Sequence, residues 1–523
     1  ILYYTKTSQI TWKFFEKIFP HFENESVENC VGLRLKEQED YENDGIILYN
    51  DIIAGTYVNA SRSWFTDSNI KYIKEINFPK NISFMNSFRG NKNLLKIGNI
   101  TLGSDNVTSA YYGGTSNAFM GCSNLESIGN ITFYSVVPII DNQQSYDFTR
   151  TFYACTNLKT IGKINIIGQE YKSANLIYLC YNCSSIESVD ISDFNCNYFG
   201  WAFAGCSKMK SIKLPNLSSC TYFNSAFDGC NSLETLDFTE TGIKNNTSAT
   251  DFGVFCRNNT KLTEIKGFEF PISVTILERA FENCVLLKTY IDISKLTLLT
   301  SAHNMYYKCS SLQLTSEIVF PTTLKTLNVS GYLNACKIEG EVVITTGDSG
   351  DIGINFDSIL RDASFSKVTL NINTKLTASN YMVGSMPKLS TLIMNWRDSN
   401  YSENLGKSAY WSANSGNIKI IHGWCIGIMN SGWMYTDPDQ IREVTWVGVA
   451  KGSVSLRKSF QNNSTSGCRA DQYINQECIL DLIENHLSEE GGTLTLGSKT
   501  AYDIWNGWGY IDKLIDKGWS VVY

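Results

Sequence analysis

The chain reads as an α/β repeat solenoid with one short strand per rung, finished by a C-terminal strand–helix–strand cap. Three observations predict it. One phrase, Ala-Phe-x-x-Cys-Ser/Asn-x-Leu-x-x-Ile, recurs from about residue 86 onward. Its cysteine falls at 122, 155, 183, 206, 230, 284, 309 and 336, at intervals of 33, 28, 23, 24, 54, 25 and 27 residues, and the 54 is two units with a degenerate copy between them. Toward the C-terminus the phrase gives out and strand-like and helix-like patterns alternate. No unit of this size buries its apolar face alone, so each needs its neighbours for a core.

Taken in order, Ile1-Leu2-Tyr3-Tyr4-Thr5 reads as a strand, not as the charged and then apolar stretches of a signal peptide. The chain is therefore expected to be a piece of a longer product. Residues 1–44 are assigned to an N-terminal opening and capping segment, 45–395 to one continuous solenoid, and 396–523 to Trp-rich terminal repeats and a C-terminal cap. The clearest copies run Ala118–Ile128 and Ala202–Ile212; others centre on Phe152/Cys155, Phe227/Cys230 and Phe281/Cys284. A copy around Phe255 and Leu262 reads as having Asn for Cys and one extra residue. Leu125–Phe133 has apolar residues near strand spacing. The Ala-Phe-x-x-Cys segment is expected to be a turn or short helix closing the back of the rung, with Phe and Cys inward. Phe119, Phe152, Phe203, Phe227 and Phe281 should then occupy equivalent buried positions.

There are 16 cysteines, most of them in this one phase. Equivalent positions in a stack point the same way, whereas a disulfide needs opposed Cβ vectors. Cys122, Cys155, Cys206, Cys230, Cys284 and Cys309 are thus expected to be unbridged and unmetallated, acting as small buried hydrophobes. A zinc set of Cys180, Cys183, Cys196 and Cys206 would have to converge from separate rungs. Toward the C-terminus, Cys478–Leu487 and Lys499–Asp516 read as helices, Leu494–Gly497 and Lys517–Val522 as strands, and Glu489-Glu490-Gly491-Gly492 as a helix end.

Composition narrows the function. Hydrophobic residues make up 43% of the 523, enough for a core along the whole length, and charged residues only 18%, so Asn, Ser, Thr and Tyr carry the surface. A net charge of −7 without a basic block argues against nucleic acid. No apolar run reaches the length of a membrane span, which argues against membrane insertion. The four histidines, His21, His303, His422 and His486, are scattered. No G-x-S-x-G or H-E-x-x-H occurs, and Gly347-Asp348-Ser349-Gly350-Asp351 reads as a polar turn between rungs rather than a nucleophile or calcium loop. No enzyme activity and no cofactor are expected.

The repeated phrase resembles BspA-like leucine-rich repeats over about residues 45–395. Gly45–Asn50 resembles the strand that often precedes the first repeat, and Ile1–Thr5 the opening of many such arrays. The chain departs from the family by often lacking a proline after the strand, Pro215 and Pro321 being among the exceptions. Leu494-Thr495-Leu496-Gly497 and Lys517-Gly518-Trp519 resemble the tail of repeat proteins of gut Bacteroidales and their phages. The resemblance implies a leucine-rich-repeat solenoid that attaches to surfaces. It does not choose between a bacterial adhesin and a phage protein; the Asn/Ile/Lys/Tyr-rich composition and the Lys517-Gly518-Trp519 ending favour a virion component, a tail or fibre protein contacting the host, with a bacterial cell-surface or secreted adhesin as the alternative. The partners implied are a host surface glycan or outer-membrane protein, together with other virion proteins or a homo-oligomer. Eight of the 11 tryptophans lie in the last quarter of the chain. Trp411, Trp424 and Trp433, beside glycines or in polar stretches, are the candidate ligand contacts, with core packing as the competing reading.

Overall fold

Each rung is closed by the recurring turn, and the turn explains the sequence phrase. In Ala118-Phe119-Met120-Gly121-Cys122 the Cys122 amide bonds back to the Phe119 carbonyl at 3.0 Å, while Asn117 just before the phrase is left-handed at φ 54. The turn then stacks on the next one through its backbone: Phe119 N donates to Thr151 O, Phe152 N to Leu179 O, Cys180 N to Ala202 O, and Phe203 N to Ala226 O, at 2.7–2.9 Å. No helix forms in these segments, because their amides are spent on the neighbouring rung. Phe119, Phe152, Phe203 and Phe227 are all fully buried, as is Phe281. Consecutive rings stack nearly parallel, 4° apart for Phe119–Phe152 and 7° for Phe203–Phe227.

This computed structural model describes residues 32–34, 46–49, 71–78, 84–102, 114–134, 146–167, 173–314, 317–349, 352–397, 417–426, 441–459 and 473–523. They fall into two units, Ile1–Pro271 and Ile272–Tyr523. In the first unit, parallel strands Tyr72–Phe78, Lys96–Leu102, Ser127–Ile128 and Thr160–Ile161 place Ile73, Ile97, Ile128 and Ile161 in register, each buried. The stack continues through Ser188–Asp190 and Ser211–Lys213, and Thr235–Asp237 pairs with Glu264–Lys266. A second, shorter sheet of Tyr146–Asp147, Ser173–Asn175 and Asn195–Tyr198 lies between this face and the turns. The rung thus carries more than the single strand expected. The stretch Leu125–Phe133 is likewise split, into Ser127–Ile128 and Ile131–Tyr134. At the break a Cβ on Gly129 would come within 2.7 Å of the Gly98 backbone. There Asn99 accepts from the Asn130 amide, and Asn130 from that of Lys163, so the corner has its own ladder.

The degenerate copy is corrected by this register. Phe227 N donates to Phe255 O, so Phe255 occupies the alanine position, Cys256 the phenylalanine position and Asn259 the cysteine position. Leu262 follows three residues later, as Leu125 follows Cys122, so no residue is inserted. Leu179-Cys180 makes the same exchange of large and small. Both Phe255 and Cys256 are buried, so the pair of sites conserves volume in sum rather than site by site.

The second unit repeats the plan. Ile318–Phe320, Glu341–Thr346, Lys367–Ile372, Thr391–Trp396, Ile420–Cys425 and Glu443–Val447 form one parallel sheet, and Leu327–Asn328, Ile354–Asn355 and Leu376–Ala378 the short one. The boundary expected after residue 395 falls inside the fourth of these strands, and the sheet runs on beyond it. The cap is a parallel sheet of Ala450–Ser455, Leu487–Thr495 and Trp519–Val522 with, among the described residues, helices Gln476–Asn485, Lys499–Gly507 and Tyr510–Asp516 and the short Leu456–Ser459. Asn475 and Ser498 cap the first two through their side chains. The expected helix Lys499–Asp516 is broken at Gly509, which is left-handed at φ 76. Glu489–Gly492, expected as a helix end, lies within a strand.

Candidate functional site

Three places in the described residues invite a functional reading, and their local chemistry separates them. The first is the cysteine column. Each thiol of the phrase donates to the carbonyl of the phenylalanine-position residue one turn back: Cys122 to Phe88 at 2.9 Å, Cys155 to Phe119 at 3.0 Å, Cys183 to Phe152 at 2.9 Å, Cys230 to Phe203 at 3.2 Å, and Cys309 to Phe281 at 3.0 Å. That carbonyl already accepts the amide of its own turn, so the thiol takes its second lone pair. The thiols are free and buried. Burial pushes Cys122 and Cys336 up to about 12, and Cys155, Cys206 and Cys309 well above the ordinary thiol range. These five keep the proton that their ladder bonds need, and their role in the column is structural. No group of three or more His, Cys, Asp or Glu among the described residues is placed to hold a metal.

The second place is His303 in the second unit. Its Nδ1 lies 2.7 Å from Ser330 Oγ and 3.0 Å from Ser330 O, and its Nε2 lies 3.0 Å from the Asn304 amide nitrogen. With the amide donating to Nε2, the ring proton sits on Nδ1 and points at Ser330. A nitrogen that donates to a serine cannot take that serine's proton, so this geometry holds a turn rather than a nucleophile. Ser349, in the loop singled out from the sequence, accepts from the Thr323 amide at 2.9 Å, which ties one rung to the next.

The third place is a half-exposed aromatic patch on the turn face of the first unit. Tyr178 stacks on Trp201 at 5.0 Å and 12°, Tyr153 on Tyr181 at 4.9 Å and 13°, Tyr178 meets Tyr181 edge-on at 5.5 Å, and Trp201 meets Tyr222 at 5.6 Å. The exposed Arg150 guanidinium lies 5.0 Å over the Tyr178 ring. Gly200 makes room for Tyr222, since a Cβ there would lie 2.6 Å from its ring. Burial and the nearby Asp251 carboxylate raise the Tyr222 phenol above its ordinary range, so its hydroxyl remains a donor. Asp251 in turn accepts from the Asn224 side chain at 3.2 Å.

The backbone beneath the patch is strained. Arg150, Tyr178 and Trp201 occupy the left-handed position before the phrase, with φ of 54, 57 and 53. In other described turns Asn117, Asn304 and Gly331 hold that position, as left-handed backbone prefers, but so do Ser225, Val254, Arg279 and Tyr381. A bulky aromatic there costs about 1 kcal/mol or more. The patch was missed in the sequence because its rings are spread over four copies. Aligning the copies on the residue before Ala-Phe would have revealed it, Trp201 standing where Asn is the natural choice.

The sequence-predicted contacts are placed differently. Trp424 lies in the strand Ile420–Cys425 with its side chain wholly buried, paired in register with buried Trp446. Its expected role as a surface contact is corrected to core, because the bulge at left-handed Gly423 interrupts the strand's alternation and turns Trp424 inward. Trp505 and Trp519 of the cap are core as well, and the Trp446 indole donates to Cys478 O at 2.8 Å, joining the cap to the last strand of the large sheet. Trp411 and Trp433 lie outside the described residues.

Parallel in-register strands, a stacked left-handed turn and a buried residue column define a solenoid of the leucine-rich-repeat class. The family of BspA type leucine rich repeat regions matches residues 148–250 and 241–349, in six copies. The repeats over residues 148–349 are thus of the BspA leucine-rich-repeat type. No curated protein matches it. Among solved structures it is similar to a leucine-rich repeat protein from Bacteroides ovatus ATCC 8483, at 13% identity, covering 94% of this chain and 98% of that one, with a TM-score of 0.36.

Proposed function

We propose that the protein is a non-enzymatic surface-recognition scaffold and that the Tyr178–Trp201 patch is its contact surface. The observation that carries this is the patch itself. Five aromatic rings, Tyr153, Tyr178, Tyr181, Trp201 and Tyr222, are left half-exposed on consecutive rungs, two of them on strained backbone where a smaller residue folds better. Aromatic and arginine side chains dominate interface energies, and here they gather on one face of successive rungs. Trp201→Asn tests it. The variant is expected to keep or gain thermal stability and to lose binding to target cells; a stability loss of several kcal/mol would make the ring a packing element instead. The setting we favour is the virion surface, supported by the Asn/Ile/Lys/Tyr-rich composition and the Lys517-Gly518-Trp519 ending. Mass spectrometry of purified particles, set against the surface and secreted fractions of the bacterium, decides between that and a bacterial adhesin.

A further inference from the structure

We infer that the aromatic patch takes a linear polysaccharide laid across the rungs, an inference that rests on the proposed contact surface and names its ligand. The patch is built from rings with polar rims: four phenols, one indole N–H, the Arg150 guanidinium and the Asn224–Asp251 pair. Its named polar groups include one positive and one negative charge, Arg150 and Asp251. A ligand matched to it must offer C–H surface and hydroxyls side by side and need carry no charge, which is the chemistry of a sugar ring. A protein partner's apolar anchor would instead call for a pocket or an aliphatic rim.

Spacing supports the same choice. Tyr178, Trp201 and Tyr222 come from three successive rungs, 5.0 and 5.6 Å apart. Rungs repeat at about 4.8 Å, close to the advance of one sugar along an extended glycan chain. A polymer lying along the stack therefore meets an aromatic ring at each rung, Tyr178 and Trp201 from the same turn position and Tyr222 from three residues before it, and weak contacts add along one chain as linked sites do. A single monosaccharide touches one ring and gains none of this. Tyr178 and Trp201 share the left-handed turn position, so their rings emerge from equivalent places and stack within 12°.

The test uses the whole chain and a panel of intact Gram-negative gut bacteria, each untreated, periodate-oxidised or protease-shaved. Wild type, Trp201→Asn and Tyr178→Asn are compared, with melting temperature as the folding control. Strains retained by the wild type are expected to lose about tenfold or more of that binding with either variant, and also after periodate, which cleaves vicinal diols. Binding should survive protease, and polysaccharide released from those cells should compete far better than its acid-hydrolysed monosaccharides. Loss after protease but not periodate overturns the glycan and leaves the contact surface standing, with a protein partner. Variants that fold and bind like the wild type overturn the contact surface, and with it this inference. Failure of the wild type to bind any strain overturns the recognition function itself.

Discussion

Asn259 shows what the cysteine position is for. In the neighbouring turns a thiol fills this site and donates to the carbonyl one turn back, as Cys230 does to Phe203. Asn259 is fully buried, and neither its amide nitrogen nor its amide oxygen has a partner among the described residues. A buried amide that makes no hydrogen bond costs about 1–3 kcal/mol. Asn259→Cys should therefore stabilise the protein by a similar amount, seen as a higher denaturant midpoint at unchanged slope. An unchanged or lower midpoint would mean that the amide finds partners in solution. Cys230→Asn is the mirror experiment and should destabilise, because it replaces a satisfied thiol with the larger polar group.

A rung is held by its turn, its strand and the rings between turns. Phe203 packs against Phe199 at 5.8 Å and Phe227 at 6.0 Å, with no exposure. Phe203→Ala should cost about 3–5 kcal/mol, read by chemical denaturation. A loss well under 1 kcal/mol would show that the stack collapses around the gap. The exposed side of the strands is organised by sign instead. Lys159 faces Glu126 at 3.5 Å, Lys210 faces Glu187 at 2.9 Å, and Lys213 faces Asp190 at 3.0 Å. In-register parallel strands stack equivalent residues on one another, so like charges would repel, and alternation removes that penalty. Each exposed pair adds at most about 1 kcal/mol. Their value lies in specifying register.

At the scale of the whole molecule, the thiol columns make stability depend on alkaline pH. Burial holds Cys155, Cys206 and Cys309 well above the ordinary thiol value of 9.0, and Cys122 and Cys336 near 12. The unfolded chain releases those protons first, so stability is complete below about pH 9 and falls as pH rises toward 12. Each such thiol contributes a slope of about 1.4 kcal/mol per pH unit in that window, and the several in the columns act together. Buried Tyr306 and Tyr332 add to the loss once free phenols begin to ionise. Denaturant midpoints measured between pH 7 and 11 should thus drop steeply above 9, and iodoacetamide should label Cys122, Cys155 and Cys309 only when the chain unfolds. A flat profile, or labelling of the native protein, would contradict the burial of the columns.

The repeat class, its phase, the inward phenylalanines and cysteines, and a capping C-terminus follow from the sequence alone. They follow because periodic apolar residues too short to bury themselves can only be satisfied by stacking. Three things were decided by the tertiary structure. The register of the Phe255-Cys256 turn emerged only from the Phe227–Phe255 hydrogen bond, since the large and small residues trade places and mask the phrase. The fate of Trp424 depended on which way its strand alternates after the bulge at Gly423, which residue type cannot reveal. The Tyr178–Trp201 patch joins residues more than twenty positions apart in the chain that come within 5.0 Å of each other across one rung. Sequence periodicity reports what each rung buries, because burial is the same in every copy. What a rung displays differs from copy to copy, and only the stacking of one turn on the next turns those separate side chains into a surface.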